Sequence, residues 1–212
     1  MNTIRKYAHK KMFALVVAGF CVFSFSACSL AFEILDELLT YEPSPDNSGS
    51  SSSSNGSSGS NDSNVPAGGC PSQIAASAFE YAKKYAAADT QYKFGAQDPL
   101  RAIQVDCSGL VIRCYRYALQ NTNYSLVQND MSSLYMYQHA SIPTNSPRRG
   151  DLVFMKYDTA NISHVGIFDR FEGNQVYFID AIDQGKGKAV TERHYAKTDA
   201  KIVGYGIMKV KN

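Results

Sequence analysis

The stretch Asp106-Cys107-Ser108-Gly109-Leu110-Val111 opens the segment on which the fold turns. Asp106 is a natural N-cap. Leu110, Val111, Cys114, Tyr117 and Ala118 then recur at helical spacing, which predicts a helix from Asp106 to about Gln120 with these side chains on its inner face. Cys107 falls in the first turn, where amide donors without helical partners and the positive dipole end favour thiolate over thiol. Ser108 and Gly109 are small enough to let a substrate backbone approach closely. A lone helical cysteine is more often packing than chemistry, so the surrounding sequence has to decide.

Downstream, after Pro143 and Pro147, short apolar runs alternate with turn residues. They predict strands over 151–156, 164–170, 175–182, 188–195 and 202–210, with Glu172-Gly173-Asn174 and Gln184-Gly185-Lys186-Gly187 among the turns. Upstream, Ser72 reads as an N-cap, and Ile74, Ala75, Ala78, Phe79, Ala82, Tyr85 and Ala86 mark a helix reaching about Ala88. A loop with Tyr92, Gly95, Asp98 and Pro99 joins these helices, and a third helical stretch covers roughly Asp130 to His139. Helices first and strands second predict one α+β domain over 71–212, its N-terminal helices packed on a five-stranded, mainly antiparallel sheet.

The residues before 71 contribute nothing to that core. Arg5, Lys6, Lys10 and Lys11 precede an apolar run from Met12 to Phe25, the pattern of an export signal over 1–27. The run ends in Phe25-Ser26-Ala27-Cys28, small residues directly before a cysteine, so Cys28 is the expected lipid-attachment residue. Cleavage after Ala31 without lipidation is the alternative. Residues 28–42 form a membrane-proximal segment, and 43–70 are so rich in Ser, Gly and Asn that they predict a flexible linker. Such a tether reaches roughly 30 Å on average.

Charge narrows the partners. Residues 28–70 carry six acids and no Lys or Arg, whereas 71–212 carry 17 Lys+Arg against 13 Asp+Glu, a net of +4. That is compatible with an anionic wall polymer and too weak to argue for nucleic acid. The His and Cys positions match no metal-site spacing, and no phosphate-cradling glycine pattern is present, so no cofactor is expected. An exported chain permits a Cys70–Cys114 bridge; the alternative is that Cys114 is a small core thiol.

Cys107 as a nucleophile needs a base. His164 opens the apolar run His164-Val165-Gly166-Ile167-Phe168, surroundings that His139 and His194 lack. Asp180, in Phe178-Ile179-Asp180-Ala181, follows by one hairpin and could orient that imidazole from the adjacent strand, with Asp183 as a competitor. Tyr92, upstream of the nucleophile, is placed either to donate to the thiolate or oxyanion or simply to pack.

Taken together, Tyr92-x-x-Gly95, Asp106-Cys107-Ser108-Gly109-Leu110-Val111, Gly150-Asp151-Leu152-Val153-Phe154 and Ser163-His164-Val165-Gly166-Ile167 resemble the NlpC-type cell-wall peptidase family. The resemblance spans residues 72–212. It implies a papain-like fold and a cysteine endopeptidase acting on peptidoglycan stem peptides, most often at a γ-D-glutamyl–diamino-acid bond. Cys107 matches the nucleophile, His164 the base, Asp180 the third polar residue and Tyr92 the tyrosine beside the nucleophile. Three positions depart from the pattern. Asp180 stands where His is common, Ala96 replaces a second glycine, and Asp130-Met131-Ser132-Ser133 replaces an Arg-Thr-Ser-like run. The expected protein is a monomer in the cell envelope, held to a membrane by its lipid. The competing expectations are an inactive wall-binding scaffold, or an amidase or acyltransferase on the same fold.

Overall fold

Helix α1, Ser72–Ala87, buries Ile74, Ala75, Ala78, Phe79, Ala82 and Tyr85 along one stripe, as the sequence spacing requires. Its N-cap is Pro71 rather than Ser72: Pro71 takes the extended backbone before the helix (φ −54°, ψ 145°), and Ser72 is already the first helical residue. The computed structural model describes residues 65–98, 103–157, 160–185 and 188–212. The expected signal 1–27, the lipid-attachment residue Cys28, the segment 28–42 and the linker up to residue 64 lie outside the described residues. The end of the expected linker does not behave as a linker. Cys70 is fully buried and donates its N–H to Met208 at 2.7 Å, and Gly69 bridges to Lys209, so backbone pairing begins before residue 71.

Helix α2, Cys107–Leu119, is buried around most of its circumference, wider than the five-residue face read from the sequence. Ile112, Tyr115 and Leu119 are buried as well. The reason is its position as the central element, packed by α1 on one side and by the sheet on another. Tyr115 shows how this is stabilised: its ring is fully buried and its hydroxyl donates to the Gly150 carbonyl at 2.7 Å. A buried hydroxyl left without that acceptor would cost about 1–3 kcal/mol. No disulfide is present among the described residues; Cys70 and Cys114 are both buried thiols.

The main sheet has six strands, one more than expected. The five predicted strands appear as β6 Leu152–Met155, β7 His164–Glu172, β8 Gln175–Ala181, β9 Val190–Ala196 and β10 Ile202–Met208. The sixth, β5 Ser141–Thr144, pairs antiparallel with β10, and the order is β5-β10-β6-β7-β8-β9 with every pairing antiparallel. Pro143 hides β5 from a sequence reading because proline cannot donate to a central ladder, but an edge strand tolerates it. The loop between the helices holds three two-residue strands, β1 Gln91–Tyr92, β2 Gln97–Asp98 and β3 Gln104–Val105, with β1 parallel and β2 antiparallel to β3. A further short pair, β4 Ser125–Leu126 and β11 Val210–Lys211, closes the C-terminus. The third helix, α3, is only Ser133–Gln138, started by Ser132, whose hydroxyl accepts from Tyr135 N–H at 3.2 Å.

The Gly150-Asp151-Leu152-Val153-Phe154 word is structural. At Gly150 (φ +95°) a Cβ would sit 1.8 Å from the Ala75 carbonyl of α1, so only glycine lets that helix seat there. Asp151 is fully buried and accepts from the backbone and guanidinium of Arg148, which fix the turn into β6. Burial raises the Asp151 carboxyl and Arg148 pulls it back.

Candidate active site

Cys107 is the first residue of α2, and Asp106 caps it. Asp106 Oδ1 accepts from Gly109 N–H at 2.7 Å and from the Ser108 hydroxyl at 3.0 Å, satisfying the first turn. Its other oxygen accepts from Gly95 N–H at 2.8 Å, and the Asp106 N–H donates to Ala96. One carboxylate therefore ties the helix start to the turn Lys93–Ala96, where Gly95 supplies the positive φ of +74°. The expected role of Gly109 needs correcting. A Cβ there would lie 2.1 Å from the Ala96 carbonyl, so the close approach it permits is of this chain's own loop, not of a substrate.

His164 is the first residue of β7. The register Ile167↔Ile179 between β7 and β8 sets Asp180 diagonal to it on the same sheet face. His164 Nε2 donates to Asp180 Oδ2 at 2.6 Å, which leaves Nδ1 for the hydrogen bond that the imidazole shares with Cys107. Gly166 makes room for this: a Cβ at that position would press on Phe178 and Asp180 at 3.0 and 3.2 Å. Burial works against a charged imidazole here, but the hydrogen bonds and charges of Asp180 and Cys107 outweigh it and push His164 up to about 9.

Two residues that the sequence reading missed complete the group. Arg193 on β9 donates from Nε to Asp180 Oδ1 at 2.9 Å and from Nη2 to Oδ2, forking the fully buried carboxylate. Nη2 also reaches the Tyr157 hydroxyl at 2.8 Å, and the Tyr157 ring packs against His164 at a tilt of 58° with centroids 5.2 Å apart. Burial opposes the guanidinium charge, and Asp180 more than restores it. The signal was present in β9: Thr191, Arg193 and Tyr195 share the face that carries Asp180, once the β8–β9 register is known.

Cys107 and His164 keep 8% and 5% of their surface exposed, and that surface opens into a cleft of about 350 Å³. Tyr92, Phe94 and Gly95 form one wall, and Asp130 to Ser133 form the other. Tyr92 is half-buried; burial first, then Cys107, Asp106 and Asp183, push its phenol up to about 12, so it is a hydrogen-bond donor at neutral pH. Phe94 projects from the rim and is 88% exposed. Asp183 is exposed and caps its own turn through Gly185 N–H, and His139 and His194 lie on the surface away from this group. Among the described residues, no group of three or more His, Cys, Asp or Glu is placed to hold a metal ion.

Comparison with known proteins identifies the family. The family model described as NlpC/P60 family matches residues 89–203, which contain Tyr92, Cys107, His164 and Asp180. Among solved structures, a Staphylococcus aureus protein described as similar to lipoprotein, NLP/P60 family, shares 23% identity at a TM-score of 0.45, covering 66% of this chain. This chain in turn spans only 42% of that protein. The NlpC/p60 domain of the peptidoglycan hydrolase SagA shares 23% identity at a TM-score of 0.40, covering 63% of this chain and 97% of that one. Ly7917 shares 13% identity at a TM-score of 0.45, covering 64% and 62%. No curated protein matches the chain. Since the family model covers more than half of its length, the chain belongs to the NlpC/P60 family.

Proposed function

We propose that this chain is a cell-wall hydrolase, a cysteine-type endopeptidase that cuts peptidoglycan stem peptides at a γ-D-glutamyl–diamino-acid bond. The observation that carries this is the unbroken row Cys107–His164–Asp180 opening into a cleft. Cys107 Sγ attacks the peptide carbonyl carbon as the thiolate, its proton already held by the His164 imidazolium on Nδ1. The carbonyl π pair moves to oxygen, where the Tyr92 hydroxyl and the Cys107 amide at the helix start serve as donors. The C–N bond then breaks, the leaving amine takes the proton from His164, and the acyl group remains on sulfur. Water, deprotonated by His164, hydrolyses the thioester and returns the thiol. Asp180 holds the imidazole with Nδ1 toward the sulfur throughout. The domain would act in the cell envelope as a monomer, anchored by lipid on Cys28 through the 43–70 segment.

The test is digestion of purified sacculi, with mass spectrometry of the product termini. Wild type should release fragments with new γ-D-glutamyl carboxyl ends, and Cys107→Ala should keep the fold and release none. Turnover by Cys107→Ala equal to wild type refutes the mechanism. Product ends at the muramoyl–L-alanine bond would make it an amidase instead.

A further inference from the structure

We infer that Arg193 is a positioning residue for the Cys107–His164 pair, acting through Asp180, whose plane it fixes and whose charge it balances. Only the kinetic arm of the test below rests on the proposed hydrolase reading.

Asp180 is fully buried, and a charged carboxylate in that setting is costly unless its oxygens are paired and hydrogen-bonded. Three donors reach it, one from His164 and two from the Arg193 fork. The fork is itself held. Nη1 donates to the Tyr195 hydroxyl at 3.0 Å, Nη2 to the Tyr157 hydroxyl at 2.8 Å, and these two hydroxyls share a hydrogen bond. Phe178 and Tyr195 flank the guanidinium with ring centroids 5.6 and 5.4 Å away. Lysine, with one point charge and no plane, cannot reproduce such a clamp.

Charge gives the second half of the argument. The groups facing His164 are Asp180 from β8, Cys107 from α2 and the Tyr157 ring after β6. Asp106 and Tyr92 lie beyond Cys107, and Arg193 and Tyr195 lie behind Asp180. Cys107 and His164 exchange one proton, so together they are neutral before and after. Asp180 and Arg193 are also neutral as a pair. The row thus keeps zero net charge through proton transfer, which limits how strongly the buried carboxylate favours the imidazolium. Without Arg193 the carboxylate acts unopposed: the imidazolium is held too tightly to return its proton readily, and its orientation loosens.

The experiment is 15N titration of the His164 imidazole in the full chain, together with kcat and KM on a muropeptide. In Arg193→Met the His164 midpoint should rise by about half a pH unit or more, and kcat should fall about tenfold or more with KM within about twofold. Arg193→Lys should return the midpoint to wild type and recover only part of kcat. A midpoint that stays or falls in folded Arg193→Met overturns the inference. Should that variant fail to fold, Arg193→Lys decides: reduced kcat at an unchanged midpoint supports the inference, and wild-type kcat overturns it. If wild type cleaves no muropeptide, the proposed function fails while the titration still decides on Arg193.

Discussion

Replacing Asp180 with Asn keeps the shape of the side chain and one acceptor oxygen but removes its charge. His164 stands at about 9 against an ordinary 6.5, a difference worth about 3 kcal/mol in favour of the imidazolium at roughly 1.4 kcal/mol per pH unit. Burial is the largest single influence and acts downward, so Cys107 alone cannot sustain the elevation once the carboxylate is gone. The His164 midpoint should therefore fall by about 2 pH units or more in Asp180→Asn, and the alkaline limb of kcat/KM should fall with it. Stability follows with a definite sign. The folded-state pKa lies above the unfolded one, so the contribution is fully present below about pH 6.5 and disappears as pH rises through about 9. Urea unfolding at pH 6 and at pH 9.5 should show wild type losing about 3 kcal/mol over that interval, and Asp180→Asn losing little of it. Arg193 loses its counter-ion in the variant, so absolute stability drops as well, and the pH slope is the quantity to compare. A His164 midpoint that stays near 9 in Asp180→Asn refutes the reasoning.

Two further variants test the walls of the cleft. Gly109→Ala forces a methyl group to within 2.1 Å of the Ala96 carbonyl, so the melting temperature should fall by several degrees and Cys107 should lose activity as the helix start is displaced; a Tm within about 1 °C of wild type would contradict the packing described. Phe94→Ala removes a ring that is 88% exposed and should leave the Tm unchanged while raising KM several-fold with kcat near wild type, a split that steady-state kinetics reads directly.

The local features of this domain were legible in its sequence. Asp106 marks the helix start because capping is a property of adjacent residues, and the pairing of His164 with Asp180 is legible because alternation and one hairpin suffice to relate them. What was missed depends on long-range pairing. Arg193 enters the site only through the β8–β9 register, and Tyr157 only through the way its segment folds back over His164. The β5 strand was hidden by Pro143, whose cost vanishes at a sheet edge. Gly109 is a point of close approach for this chain's own Ala96 rather than for a substrate, a partner that no local rule identifies.

The Asp106 carboxylate has a consequence for how the cleft can deform. It grips Gly95 with one oxygen and Gly109 with the other, so the aromatic lip at Phe94 and the helix bearing the sulfur cannot drift apart independently. The lip and the helix therefore shift as one unit against the 130–133 side of the cleft.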